Sequence, residues 1–201
     1  MKKALFFALL TASFSACKKT DPQLTNYQVN STDSKIQWKG SAKDHFHVGS
    51  FDLEGNLTVV GTTVTGGDFT IPISSITDDD LPDPLRQKLL DDLTSPNFFN
   101  LVVYPQSKFH ITAVAPYRGG DTSAVPGANY LVTGDFTMIG ETHPQSFPAM
   151  ISVIGDSLKS EATFKLDRTK WGMKIYTDTA DALYVYPDVD ISLHVRAGRS
   201  K

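Results

Sequence analysis

The sequence has a single cysteine among 201 residues and no excess of positive charge. One cysteine excludes an intramolecular disulfide framework and any metal or iron–sulfur site built from several cysteines. Nineteen lysines and arginines against 22 aspartates and glutamates give a net charge of −3, so nucleic-acid binding through phosphate attraction is not expected. An apolar fraction of 40% and a charged fraction of 20% are too ordinary for a disordered chain. These absences leave a single globular domain.

The first 17 residues have the pattern of an export signal. A short basic start, Met1–Lys3, precedes seven apolar residues and then small residues that end at Cys17. The apolar run is too short to span a bilayer, and Phe14–Cys17 resembles a bacterial lipobox, in which the cysteine carries lipid. We expect residues 1–16 to be a lipoprotein signal peptide, Cys17 to be lipidated and residues 17–26 to be a tether. An ordinary cleavable signal with an incidental cysteine is the alternative.

Lipidation at Cys17 predicts an exported protein that is attached to a membrane by its N-terminal lipid anchor. The expected location is the periplasm or cell envelope. Lys18 follows the cysteine where some bacterial lipoproteins carry an aspartate that retains them at the inner membrane, so the outer membrane is favoured.

Alternating apolar and polar residues predict that most of the chain is antiparallel β-structure. In the first such stretch Ile36 and Trp38 alternate with Lys35, Gln37 and Lys39, as expected for a strand with one buried and one wet face. Turns that contain glycine separate this stretch from later ones. The later alternating sets include Leu57, Phe69, Phe109, Phe136, Phe164 and Ile191.

One segment has helical spacing instead and predicts an amphipathic helix of about three turns. Asp83–Pro84 is expected to supply its N-cap and first-turn proline, and Ser95–Pro96 to end it. Because closure removes exposed sheet edges, about eight strands with one inserted helix favour a closed barrel. The prediction is an all-β protein with a single antiparallel β-barrel over residues 27–197 and a tail over residues 198–201. The helical pattern consists of Leu81, Leu85, Leu89, Leu90 and Leu93.

Four stretches together resemble the YceI-like family. The resemblance implies a lipocalin-like, eight-stranded antiparallel barrel whose elongated apolar cavity binds a polyisoprenoid or another long-chain lipid. It also implies export, and members of this family are often homodimers. Asn97 and Asn100 depart from the family's usual pattern, in which acids flank the Phe-Phe pair. The four stretches are Ile36–Gly40 with His47–Gly49, Leu93–Phe99 with Tyr104–Pro105 and Phe109, Val132–Gly140, and Ala162–Gly172.

A hydrocarbon ligand requires volume and an apolar wall rather than directed bonds, since each buried methylene contributes about 0.8 kcal/mol. Phe98, Phe99, Leu85 and Leu89 are expected at the mouth of the cavity. The alternative is that all these side chains fill a solid core, because a small barrel can be filled or can hold one ligand. The ligand contacts expected at inward strand positions are Trp38, Phe51, Phe69, Phe109, Phe136 and Phe164.

Two residues near the last predicted strand are further candidates. Arg168 is a candidate partner for a polar head group, because guanidinium pairs well with phosphate. A structural pair with Asp167 is the alternative for this arginine. Trp171 is expected either to stack on Arg168 or to close the barrel end.

The sequence favours no catalytic centre, cofactor or metal site. Gly155–Leu158 spells a signature of serine esterases, but it lies between two predicted strands, where Gly-Asp favours a turn. His45 and His47 share one face of a strand, yet two ligands are too few for a metal site. Asp78–Asp80 lacks the alternating spacing of a calcium loop and is expected to form a solvated turn.

Two functions fit these observations. The first is non-catalytic binding or carriage of an isoprenoid-like lipid in the barrel cavity of a membrane-tethered lipoprotein. The second is a structural or stress-related interaction protein with a packed barrel and no lipid ligand. An enzyme acting on a lipid would need polar groups that converge at the cavity mouth, for which His47, Asp135 and Arg168 are the candidates.

Overall fold

The structure, a computed structural model, describes residues 23–200. The predicted signal peptide, residues 1–16, and the predicted lipidation site, Cys17, lie outside the described residues. Among those described, no helix is long and apolar enough to cross a membrane. The elements are β1 (Leu24–Val29), β2 (Lys35–Ser41), β3 (Phe46–Asp52), β4 (Glu54–Val60), β5 (Thr63–Pro72), a 3₁₀ turn (Ile73–Ser75), α1 (Leu85–Thr94), β6 (Gln106–Pro116), β7 (Tyr130–Met138), β8 (Glu141–Ile154), β9 (Ser157–Asp167), a second 3₁₀ turn (Arg168–Trp171) and β10 (Asp188–Arg199).

Eight strands form a closed ring in the order β1-β4-β5-β6-β7-β8-β9-β10, and pairing of β10 with β1 closes it. The other two strands extend the ring, because β2 pairs with the first half of β10 and β3 pairs with β2. β1 and β2 are therefore two parts of one bent strand, and β3 and β4 are two parts of its neighbour. The predicted fold class, an all-β, lipocalin-like antiparallel barrel of eight strands with one helix, is confirmed.

A buried serine fills the break between β1 and β2. The Arg196 N–H donates to Ser34 Oγ at 2.9 Å, and Ser34 Oγ donates to the Arg196 carbonyl at 3.1 Å. The Asn30 N–H donates to the same carbonyl at 2.8 Å. The backbone of β10 thus keeps hydrogen-bond partners across the break, as buried backbone groups require.

Helix α1 begins later than its leucine pattern suggests. Leu81 precedes the helix, and the N-cap residue is Pro84, which makes no side-chain capping bond. The predicted N-cap role of Asp83 is therefore wrong; its carboxylate lies 3.8 Å from the Arg86 guanidinium. The predicted end is confirmed, because Ser95 is the C-cap. The leucines that pack partly against the core are Leu89, Leu90 and Leu93.

The strands reach beyond the predicted barrel domain at both ends. Leu24–Asn26, which the sequence places in the tether, pair with β4. Gly198 and Arg199, which it places in the tail, pair with β1. These residues form the seam of the ring, and its closure explains why they are strands.

The connections divide between two ends of the barrel. Helix α1, both 3₁₀ turns and the connection of residues 168–187 lie at one end, termed the helix end. The turns β4–β5, β6–β7 and β8–β9 lie at the opposite end, termed the far end. Gly155–Asp156 form the β8–β9 turn, as predicted. β1 also begins at the far end, because Leu24 pairs with Val60 beside the β4–β5 turn.

Candidate functional site

An almost wholly apolar cavity of about 220 Å³ lies inside the barrel. Its walls are built by side chains from strands β2 to β10 and from the connections at the helix end. On β10 the lining residues run from Val189 to Val195, a path of about 20 Å at about 3.4 Å per residue. The barrel is therefore hollow over part of its length.

The far end of the barrel is solid core. Tyr27, Val59 and Leu158 are almost completely buried and do not line the cavity. The Tyr27 hydroxyl donates to the Gly155 carbonyl at 2.7 Å, which ties this core to the β8–β9 turn. The cavity extends instead to the helix end, where Leu93 and Phe98 form part of its wall.

Most of the aromatic residues predicted from the sequence line this cavity. The four inward phenylalanines of β5, β6, β7 and β9 are only partly buried, because one side of each ring faces the cavity. Phe164 stacks on Phe147 with ring centroids 4.4 Å apart and planes 7° from parallel. Phe99 packs edge-on against Phe51 at 5.5 Å. The predicted residues in the wall are Trp38, Phe51, Phe69, Phe98, Phe99, Phe109, Phe136, Phe164 and Arg168.

Three predicted ligand contacts lie outside the cavity wall. Leu85 is 55% exposed, and Leu89 packs only partly against the core, because α1 turns Leu93 towards the cavity instead. Trp171 is almost completely buried, and its Nε1–H donates to the Phe136 carbonyl at 3.0 Å. Its ring packs edge-on against Phe136. One of its two predicted roles was to stack on the Arg168 guanidinium, and the ring does not do so.

Arg168 is buried at the cavity wall and holds the connection of residues 168–187 in place. Its guanidinium donates to the carbonyls of Met173 at 2.6 Å, Ile175 at 3.0 Å and Val185 at 3.1 Å. Asp167 instead accepts from Thr169. Arg168 thus has the predicted structural role, but its partners are backbone carbonyls instead of Asp167. Contact between Arg168 and a ligand head group stays a prediction.

The charge of Arg168 has no carboxylate partner within 4.0 Å among residues 23–200. Burial lowers the pKa of this guanidinium below its ordinary value, although Asp167 and Tyr184 oppose the change. A buried, uncompensated positive charge favours polar or anionic groups at this wall.

Trp38 supplies a polar group that the sequence prediction counted only as apolar surface. Its indole lines the cavity and is only 9% exposed, yet Nε1–H meets no acceptor in the described part of the chain. A buried donor without a partner has a free-energy cost of about 1–3 kcal/mol. The wall therefore contains a donor without an acceptor, and this nitrogen is itself buried rather than exposed to the cavity.

Several wall residues were missed by the sequence prediction. Phe147 and Ile151 on β8 line the cavity, but Pro148 and Met150 between them interrupt the alternation of apolar and polar residues. Leu93 and Met138 also line it, but their orientation depends on how α1 and the β7–β8 turn pack.

The polar residues proposed for a lipid enzyme do not converge. Arg168 lines the cavity, whereas His47 and Asp135 do not, and Asp135 is exposed. The prediction that Asp78–Asp80 form a solvated turn is wrong for Asp78, which is only 4% exposed. This carboxylate lies beside His47 and Asp80, at the edge of β3.

Comparisons with known proteins agree with this architecture. Residues 27–197 match a family model described as the YceI-like domain. No curated protein gives a significant match.

Several solved structures share the fold. BcnA of Burkholderia cenocepacia is 21% identical with a TM-score of 0.66, and the match covers 84% of this chain and 98% of that one. A polyisoprenoid binding domain from Saccharophagus degradans, implicated in plant cell wall breakdown, is 9% identical with a TM-score of 0.64, over 87% and 98% of the two chains. The YCEI protein of Campylobacter jejuni is 14% identical with a TM-score of 0.52, over 99% and 94%.

Proposed function

Because this chain belongs to the YceI-like family, we propose that it binds an isoprenoid-like lipid without catalysis, with the apolar tail inside the barrel cavity. The observation that carries this proposal is the apolar cavity of about 220 Å³. The polyisoprenoid binding domain from Saccharophagus degradans, which has the same fold, supports the choice of ligand class.

The cavity volume limits how much of a tail enters without rearrangement. A cavity of about 150 Å³ holds one benzene molecule. By that ratio, the 220 Å³ here accommodates about nine carbon atoms. A longer polyisoprenoid requires movement of wall residues at the helix end, where Phe98 and Phe99 separate the cavity from solvent.

The unpaired donor of Trp38 favours a ligand with a polar end. An oxygen acceptor on the lipid, such as a prenyl hydroxyl or carbonyl, pairs with the buried indole N–H after a movement of the ring and then removes the cost of the unpaired donor. The positive charge of Arg168, which also lines the cavity, favours a polar or anionic group as well. The ligand class is therefore an amphiphile rather than a pure hydrocarbon.

The proposal includes export and a lipid anchor at Cys17, in a periplasmic or cell-envelope lipoprotein of the outer membrane. Support comes from the layout of residues 1–17. A homodimer stays a prediction.

The solid far end favours a second candidate, a packed-barrel structural or stress-related interaction protein without a lipid ligand. The lipid-binding and packed-barrel functions differ in two expected results. They differ in whether the wild-type protein carries a lipid after mild purification, and in whether its affinity for a lipid depends on the length of the lipid tail.

Native mass spectrometry of protein extracted from its host in mild detergent tests the proposal. We expect a mass increment of one prenyl or acyl lipid per chain. With added prenyl alcohols we expect affinity to rise with tail length up to about ten carbons, the length that fills the cavity. Protein that is folded but empty, and that takes up no prenyl alcohol of any length, would establish the packed-barrel function.

A further inference from the structure

The connection between β5 and α1 forms a strap along the outer edge of β3. The strap comprises residues 76–81. Its Thr77 N–H donates to the Ser50 carbonyl at 2.9 Å, and its Asp79 N–H donates to the Val48 carbonyl at 2.8 Å. Gly49 permits this approach, since a Cβ there would lie 1.9 Å from the Thr77 carbonyl oxygen. The strap is thereby fixed on β3 as a short extra strand would be.

This packing brings three metal-ligating side chains together. One ligand atom each from His47, Asp78 and Asp80 lies within 4.8 Å of the other two. His47 Nδ1 is 3.0 Å from Asp80 Oδ2. His47 and Asp80 are each about a quarter exposed in their side chains, so the cluster is open to solvent on one side and buried at Asp78.

Backbone groups hold both carboxylates in place. The Leu81 N–H donates to Asp78 Oδ1 at 2.9 Å, and the Val48 N–H donates to Asp80 Oδ1 at 2.7 Å. Each aspartate is thus oriented through its Oδ1, and the Oδ2 of Asp80 faces His47 Nδ1. Such outer contacts orient the ligands of known metal sites.

Asp78 Oδ2 has no such partner. The atom is buried, and no donor reaches it within the described residues. A buried carboxylate oxygen without a donor, next to a second carboxylate, is strongly unfavourable unless a cation or a proton compensates its charge. This oxygen is the observation that separates the cluster from an ordinary group of surface acids.

We propose that His47, Asp78 and Asp80 bind a divalent transition metal ion of the Zn²⁺ class. One imidazole and two carboxylates are ligands that Zn²⁺ accepts, and water completes the coordination. The ion neutralises the two carboxylates and fastens the strap to β3. The site lies where the strap meets the edge of β3, and none of its three ligands lines the lipid cavity.

The test is titration of metal-free, tag-free protein with Zn²⁺ by calorimetry and with Co²⁺ by visible absorption. We expect one ion per chain and a Co²⁺ spectrum typical of mixed nitrogen and oxygen ligands. Asp78→Asn should weaken Zn²⁺ binding by more than about tenfold. Loss of a residue that only orients a metal ligand already lowers metal affinity about 10–100-fold. His110→Gln is the matched control, because His110 pairs with Asp68 at 2.7 Å in an exposed position without a third ligand.

Thermal unfolding separates a metal from a buried proton at Asp78. In Asp78→Asn the introduced amide retains the acceptor for the Leu81 N–H and supplies an N–H₂ group near Asp80. The metal-free variant should therefore unfold at a higher temperature than the metal-free wild type. Zn²⁺ should raise the midpoint of the wild type and of His110→Gln, but not that of Asp78→Asn. No stoichiometric binding by the wild type, or equal binding by wild type and Asp78→Asn, would overturn the proposal.

Discussion

At the scale of single residues, the polar atoms of the cavity wall are its most informative feature. Trp38 Nε1–H is buried without an acceptor among residues 23–200, whereas Trp171 Nε1–H donates to Phe136. The sequence predicted Trp38 as an inward ligand contact and Trp171 as a residue that stacks on Arg168 or closes the barrel end. Their different roles depend on hydrogen-bond geometry, which alternation of residue types does not encode.

Replacement of Trp38 by Phe tests the free donor. The variant should bind a prenyl alcohol about fivefold more weakly, because it loses one hydrogen bond worth about 1 kcal/mol. Its affinity for the hydrocarbon of the same chain length should change less, since the loss of ring volume affects both ligands alike. Competition binding of the two ligands to wild type and variant measures the difference. An equal change for both ligands would show that the indole N–H does not contact the ligand.

Arg168 shows the same limit of sequence reasoning. Contact with a ligand head group and a structural pair with Asp167 were the two alternatives. The structure gives it carbonyl acceptors at Met173, Ile175 and Val185. These acceptors come from an irregular connection whose path has no periodic signal, so the sequence predicted the residue but not its partners.

At the scale of elements, α1 and the strap both lie in the connection between β5 and β6, at the helix end. The leucine spacing predicted the helix and its end correctly, but not its start or which leucine faces the cavity. The strap was missed entirely, because its contacts with β3 are made by backbone groups and by the short side chains of Thr77 and Asp80. Local composition alone indicated a solvated turn there.

Two leucine-to-alanine changes in α1 test how the helix packs. Leu93→Ala should lower the free energy of unfolding by about 2 kcal/mol, because Leu93 lines the cavity and packs against the core. Leu85→Ala should change it by less than about 0.5 kcal/mol, since Leu85 is exposed. The change in helix propensity is the same in both variants. Urea unfolding measures both, and similar losses would contradict the observed orientation of α1.

At the scale of the whole molecule, alternation and one helical insert were enough to predict a closed eight-stranded antiparallel barrel. The division into ten strands comes from breaks at Asn30–Ser34 and Leu53; the cluster of Asn, Ser, Thr and Asp marks the first in the sequence, whereas nothing in the composition marks the second. Whether the barrel is hollow was not readable from residue types. It depends on the rotamers of Phe109, Phe147 and Phe164, and on the dense packing of Tyr27, Val59 and Leu158 at the far end.

The most direct test of the hollow barrel is a substitution that fills it. Ser160 lines the cavity from β9, so Ser160→Phe places a ring inside the 220 Å³ volume. Ser192 lies on β10 beside the inward Ile191 and Leu193 and faces the opposite side of the sheet, so Ser192→Phe adds the same atoms on the outer surface. Both variants are compared as folded proteins with matched circular dichroism spectra.

The measurement is calorimetric titration of wild type, Ser160→Phe and Ser192→Phe with geraniol, a prenyl alcohol short enough to enter the cavity. Wild type and Ser192→Phe should bind one molecule per chain with equal affinity. Ser160→Phe should lose at least about tenfold in affinity, because excluding even two methylenes from the cavity costs about 1.6 kcal/mol. Equal binding by all three proteins would place the ligand outside the barrel, and no binding by the wild type would contradict lipid binding altogether.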